Sequence, residues 1–453
     1  MSILPDIVNS YLKKNRVVKW TLEWTKKDGI NNVIVVPAIA EFENIKTLLQ
    51  SLSENHSEYF KETLIIFVIN NTVSSVLEFK ENNSSTIRLL KNLIRKQKSD
   101  DEFISKIIDS GLQIGLVDAS LPGKEFDDET GGVGLARRTG FDLALSIFDY
   151  SNTDKKILIS LDADCIVDKN YLTSVIKAFN RNNLSAGVIN YQHNIDVDDK
   201  NTQAIICYEI FLRYYVSGLL YAGSPFAFNT IGSTIVCDHT AYIKTGGMNK
   251  RKAGEDFYFL QKLAKLYPVL TLFSTTVYPS SRSEVRTPYG TAIRIDSFLS
   301  EKDQQYLLYN PESFEVLKNW LQLFNSDSSL NKAGLMKQAE KTNKQLFEFL
   351  ISKNFPEQWD KILMNCKNEQ QLSYQRKNWF DAFKTLKLIH YLRDHSLKQI
   401  NMFEAVNKLF QMFDETPVNY DRGNDYPELS VQKEFLLRLR KLQEKHTRYK
   451  IEQ

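Results

Sequence analysis

The stretch Ile157–Val167, ILISLDADCIV, sets two carboxylates, Asp162 and Asp164, one residue apart at the end of an apolar run. If that run is a strand, alternate residues face the same side, and both acids can address one ligand. Neighbouring carboxylates repel unless a cation or hydrogen-bond donors neutralise them. Mg2+ or Mn2+ does this, held through one or two carboxylates and completed by substrate phosphates. The structural alternative is an Asx turn or a cap on the next helix, both frequent uses of Asp. A second acidic pair, Glu255 and Asp256 in AGEDFYFLQKLAK, opens a helix whose apolar stripe is Phe257, Leu260, Leu263 and Ala264. Acids favour the first helical turn for structural reasons alone, so this pair does not establish chemistry by itself.

The elements that must position these acids alternate along the first three hundred residues. NVIVVPAIA (32–40) reads as a strand and EFENIKTLLQSL (41–52) as a helix with apolar Ile45, Leu48, Leu49 and Leu52. TLIIFVINNT (63–72), LQIGLVDAS and KKILISLDAD follow as strands, with the helix GLARRTGFDLALSIF between the last two. Such alternation predicts an α/β fold, a mainly parallel sheet with helices on its faces. In a doubly wound sheet, ligands bind beyond the carboxyl ends of the strands, where Asp162 and Asp164 would sit.

The chain has 453 residues, enough for two or more domains. The expected division is 1–300 for the α/β domain and 301–453 for a helical C-terminal domain, where FEVLKNWLQLF and later amphipathic runs follow one another. Hydrophobic residues make up 42% and charged residues 25%, the ordinary balance of a globular protein. A net charge of +3 is too small to imply nucleic acid. Cys165, Cys207, Cys237 and Cys366 lie far apart with no CxxC pair, and read as buried thiols of a reducing compartment. Cys207–Phe228 is the most apolar region, but Glu209 and Arg213 interrupt it, which favours a packed helix over a membrane span. With no apolar leader at the N-terminus, the expected location is the cytoplasm. The terminal segment SVQKEFLLRLRKLQEKHTRYK reads as a basic amphipathic helix, suited either to packing on its own domain or to anionic lipid.

Six segments in order, VIVVPAIAEFENI, LIIFVINNT, GGVGLARRTGFDLAL, ISLDADC, GSTIVCDHTAYIKTGGM and AGEDFYFLQKL, resemble the family 2 glycosyltransferases with the GT-A fold over roughly residues 30–295. The resemblance implies a nucleotide-sugar donor, a divalent metal and inversion at the anomeric carbon. It places Pro37, Ala38 and Glu41 of PAIAE along the nucleotide pocket. Asn70 and Asn71 stand where the family reads the base with an Asp, so uridine, guanosine or another base remains open. Arg137 matches a residue that helps hold the donor, and a guanidinium suits a diphosphate. The resemblance gives Asp164 direct metal coordination, puts Asp162 near the ribose or a metal-bound water, and lines the sugar pocket with Gly232 and Ser233. It makes Asp256, beside Glu255, the base that takes the acceptor hydroxyl's proton. His239 is a further candidate metal ligand, with a place in a helix N-cap as its structural alternative. Arg286, in SRSEVRTPYGTAIR, belongs to a loop that either closes over the diphosphate or links the domains.

The implied partners are the donor and a hydroxyl acceptor, saccharide or lipid-linked, with homo-oligomerisation and peripheral membrane contact as open additions. Three other readings stand beside this one. A retaining GT-A transferase of the glucosylglycerate-synthase type would use His239. A nucleotidyltransferase would need a glycine-rich basic loop after the first strand, which PAIAEFENI lacks. A non-catalytic nucleotide-sugar-binding protein would bind without turnover.

Overall fold

The computed structural model describes residues 4–15, 19–97, 100–195, 200–280, 306–326, 332–421 and 427–447. The protein is α/β, with a large, mainly parallel sheet and a helical C-terminal region. Its internal contacts divide it into two units, chiefly Met1–Gln192 with Thr230–Ser280, and His193–Asn229 with Ser281–Arg448. The sequence reading put one break near residue 300; in the fold, residues 193–229 belong with the second unit instead.

The first unit runs α1 (Asp6–Asn15), β1 (Leu22–Trp24), β2 (Asn32–Ala38), α2 (Phe42–Ser53), β3 (Thr63–Asn70), α3 (Leu77–Ile94), α4 (Glu102–Ser110), β4 (Gln113–Ala119), α5 (Val133–Ala144), β5 (Ile157–Ser160), β6 (Ile166–Val167), α6 (Tyr171–Arg181) and β7 (Ala186–Tyr191). After α7 (Lys200–Ala222), which lies in the second unit, it resumes with β8 (Ile235–Asp238), α8 (His239–Lys244), α9 (Glu255–Leu266) and β9 (Leu270–Tyr278). The sheet order is β1-β4-β3-β2-β5-β8-β7-β9-β6. β4, β3, β2 and β5 are mutually parallel.

β2 and β3 are buried along their whole length, as strands covered on both faces must be. Ile34, Val36, Ile65 and Phe67 join Leu48, Leu49 and Leu90 of the helices in one core. On the other face, Val35 packs against Gly140 of α5; a Cβ there would come 2.4 Å from Val35 Cγ1, so the helix lies directly on the strand. From β2 the chain builds outward through β3 to β4, then returns to place β5 on the opposite side of β2. This reversal opens a crevice beyond the carboxyl ends of β2 and β5. Pro37 is tolerated inside the sheet for the same reason. Val35 bonds toward the β5 side, where its carbonyl accepts from Leu161 N at 3.1 Å, so the nitrogen of Pro37 points where β5 has already ended.

In the second unit, Thr202–Ala222 is long and apolar enough to cross a membrane by composition, yet 72% of its most apolar window is buried in protein. Ile210 and Tyr214 of α7 share a core with Phe314 and Leu317 of the helix Glu312–Asn325, and with Phe435, Leu439 and Leu442 of the terminal helix Leu429–His446. The two charges that interrupt α7 are paired. Glu209 accepts from Arg213 Nε at 2.6 Å and from Arg440 Nε of the terminal helix at 2.8 Å. It also accepts from the backbone N–H of His193 at 2.9 Å. The basic terminal helix thus turns its apolar face and Arg440 into its own unit.

Candidate active site

Three elements meet at the crevice, and Arg137 of α5 is where they meet. Its side chain is only 3% exposed. Nη2 donates to Asp162 Oδ1 at 2.5 Å, beyond the end of β5, and Nη1 donates to Glu255 Oε1 at the start of α9. Burial works against its charge, but Asp162, Glu255 and Asp256 outweigh that and hold the guanidinium above its ordinary pKa. Gly232 fits against it because it has no side chain; a Cβ would lie 2.4 Å from Arg137 Nη2. Residues 137, 162, 232 and 255 of distant segments are thereby gathered at the carboxyl end of the central strands.

The two aspartates of LDAD are not alternate residues of a strand, as the apolar run had suggested. β5 ends at Ser160, and Asp162–Cys165 forms a turn in which Cys165 N donates to Asp162 O at 3.2 Å. The Asp162 carboxylate goes to Arg137 rather than to a cap. Asp164 is half-buried two residues on, with the Cys165 thiol 3.9 Å from its Oδ1. Burial, then Asp164 and Asp162, push that thiol well above its usual pKa; the Ser233 hydroxyl is within hydrogen-bonding reach of it. Gly232 and Ser233 therefore back the guanidinium and the acidic turn, packing roles that the expected sugar-pocket lining did not include.

At the start of α9, burial raises the Glu255 carboxyl to about 7, against the pull of Arg137 and with the push of Asp256 and Asp162. Asp256 is also raised, by burial first, despite Arg137 and the 2.7 Å bond it accepts from Phe257 N. A helix N-terminus alone would keep such a group acidic; here desolvation wins. A carboxylate with raised proton affinity is a better base near neutral pH.

The ends of β2 and β3 form a separate wall. Asn70 Nδ2 donates to the carbonyls of Ala38 and Val68, both at 3.1 Å, and Asn71 Nδ2 donates to Thr72 O at 3.1 Å. Asn83 of α3, which the sequence reading passed over, ties the wall together. Its Nδ2 donates to Asn70 O and to Asn71 Oδ1, both at 3.0 Å, and its Oδ1 accepts from Ala40 N at 2.9 Å. The signal was present: Asn83 falls on the apolar stripe of α3 with Ile87, Leu90 and Ile94, a place for a polar residue only if it is fully bonded. Glu41 stands at the head of α2, where its Oε2 accepts from Asn44 Nδ2 at 2.5 Å.

His239 cannot join Asp164 on one ion. β8 runs antiparallel to β5 with Ile157 opposite Asp238, so His239 lies beside the beginning of β5. Four strand residues at about 3.3 Å each put roughly 13 Å between it and the acidic turn. Its ring meets the edge of Tyr150, and burial lowers its pKa. The neighbouring Asp238 caps α8 by accepting from Ala241 N at 2.7 Å, the structural alternative considered for this segment. Arg286 lies outside the described residues.

Among the described residues, no group of three or more His, Cys, Asp or Glu comes together to hold a metal. The acidic turn offers few oxygens to a cation, Asp162 being engaged by Arg137. That fits a hard divalent ion that takes most of its oxygens from a bound diphosphate and water.

No protein-family model and no curated protein matches the sequence. In structure the chain is similar to residues 1–349 of S. aureus TarS in complex with UDP-GlcNAc, with 11% identity, coverage of 94% of this chain and 93% of that one, and a TM-score of 0.37. It is also similar to the mannosyltransferase PcManGT of Pyrobaculum calidifontis in complex with GDP-Man and Mn2+, with 12% identity, coverage of 86% and 92%, and a TM-score of 0.35. Both neighbours hold a nucleotide sugar, and the second is a mannosyltransferase.

Proposed function

We propose that the first unit transfers a sugar from a nucleoside-diphosphate sugar to an acceptor hydroxyl, with inversion at the anomeric carbon and with Mn2+ or Mg2+. The observation that carries this reading is the meeting of LDAD and GED, ninety-odd residues apart, at the mouth of the β2–β5 crevice (Asp162 to Glu255). A crevice at a strand-order reversal, lined by acidic groups with raised proton affinity, suits a reaction in which a hydroxyl must lose its proton. Asp256 takes that proton as the acceptor oxygen attacks the sugar from the face opposite the leaving nucleotide. Asp164 would hold the cation together with the donor's phosphates. The ion would supply charge neutralisation for the departing nucleoside diphosphate. The distance of His239 from the acidic turn removes the ligand on which the retaining alternative leaned, and so favours direct displacement.

Asp256→Asn tests the assignment. It should lower transfer by roughly 10²–10⁴-fold while nucleotide-sugar binding, measured by calorimetry with Mn2+, stays within about twofold of the unmodified protein. Equal loss of both would remove Asp256 as the base. Retention of the donor's anomeric configuration in the product would overturn the single-displacement reading.

A further inference from the structure

We propose that Arg137 is a positioning residue that couples the donor side of the site to the acceptor side, and not a ligand to the donor's phosphates. The proposal rests on the transferase reading above. A guanidinium that binds phosphate must present unengaged N–H groups to an open surface. Arg137 does not. One arm of its fork is held by Asp162 and the other by Glu255. Its Nε is buried without a protein partner, and Gly232 closes against Nη2. Releasing the arms to a phosphate would leave Glu255, 5% exposed, as a buried carboxylate without its cation, a strongly unfavourable exchange.

What the fork can do is set two geometries at once. Asp162 is two residues from Asp164 in one tight turn, so the hold on Asp162 fixes where Asp164 faces the donor. Glu255 is the first residue of α9 and Asp256 the second, so the hold on Glu255 fixes the start of the helix that carries the base. Neither effect is available to a lysine, whose single ammonium cannot reach both carboxylates in a planar fork. Disturbing Arg137 therefore misplaces donor-side and acceptor-side groups together, without touching the phosphates.

The test uses the full chain, Mn2+, and UMP, UDP, GMP and GDP as calorimetric probes, with transfer or donor hydrolysis as the rate. In Arg137→Lys the preference for diphosphate over monophosphate should stay within about twofold of the unmodified protein while kcat falls about 100-fold, the scale of a small misplacement of reacting groups. Adding Glu255→Gln should lower kcat little further, because both changes break one coupled unit. Gly232→Ala presses on the guanidinium without changing any charge, and should reproduce the rate loss if Arg137→Lys does not fold. A tenfold loss of the diphosphate preference in Arg137→Lys would make Arg137 a phosphate ligand and overturn the proposal. Additive losses in the double variant would overturn the coupling. Absence of binding to the unmodified protein by these four nucleotides and by ADP, CDP and dTDP would instead sink the transferase reading, and this proposal with it.

Discussion

Glu255 is held by Arg137, yet burial and two nearby aspartates keep its proton affinity high, with a folded-state value of about 7 against an ordinary 4.5. A raised value means that the folded protein holds the proton more tightly than the unfolded chain. The associated stability is complete below about pH 4.5 and is lost as pH rises through about 7, an effect on the order of 3 kcal/mol. The melting temperature should therefore fall between pH 5 and 7, and this slope should flatten in Glu255→Gln, as differential scanning fluorimetry across pH would show. An unchanged slope would mean that Glu255 is ionised throughout. Asn83 offers a second residue-scale prediction. Asn83→Ala leaves Ala40 N and Asn71 Oδ1 without their partner, and should destabilise the protein by about 1–3 kcal/mol in urea unfolding.

Between elements, the junction of α7 with the terminal helix depends on a carboxylate of the opposite character. Burial would raise Glu209, but Arg213, His193 and Arg440 overcome it and hold the group well below the usual range. Its stability contribution is present above about pH 4.5 and is lost as pH falls through the lower folded-state value. Glu209→Gln leaves two arginines without their shared counter-ion, and should cost about 3–5 kcal/mol in equilibrium unfolding at pH 7. The loss should shrink in acid, where the unmodified protein also gives up the charge. A cost below 1 kcal/mol would show that the arginines find other partners. The same pairing explains why an apolar helix with two charges is built into protein: each charge meets its partner inside the unit that buries α7.

For the whole molecule, the two units are interleaved along the chain, and this has a consequence for dissection. A fragment ending at residue 280 would carry α7 without the helices that cover it, exposing a long apolar surface, and should aggregate. Val188 pairs with Ile235 in antiparallel β7 and β8, so the chain leaves β7 after Tyr191 and enters β8 at Ile235 at the same end of that strand pair. Replacing 193–229 by a short glycine-rich connection in that fragment should restore a soluble first unit that still binds nucleotide. Size-exclusion chromatography and calorimetry would check both points; an aggregated fragment would mean that the first unit needs the second to fold.

The α/β class, the strands and the acidic motifs were legible in the sequence because each depends on local periodicity or on short spacings. VIVV and LIIFVI are too apolar to be anything but buried, and GED opens a helix wherever that helix packs. Tertiary structure alone decided which distant groups share a space. It placed Arg137 between Asp162 and Glu255, sent His239 to the far end of β5, and moved 193–229 into the second unit. Those outcomes follow from strand order and direction, which a linear pattern does not encode: an antiparallel β8 carries its following residue away from the site, where a parallel one would have brought it near.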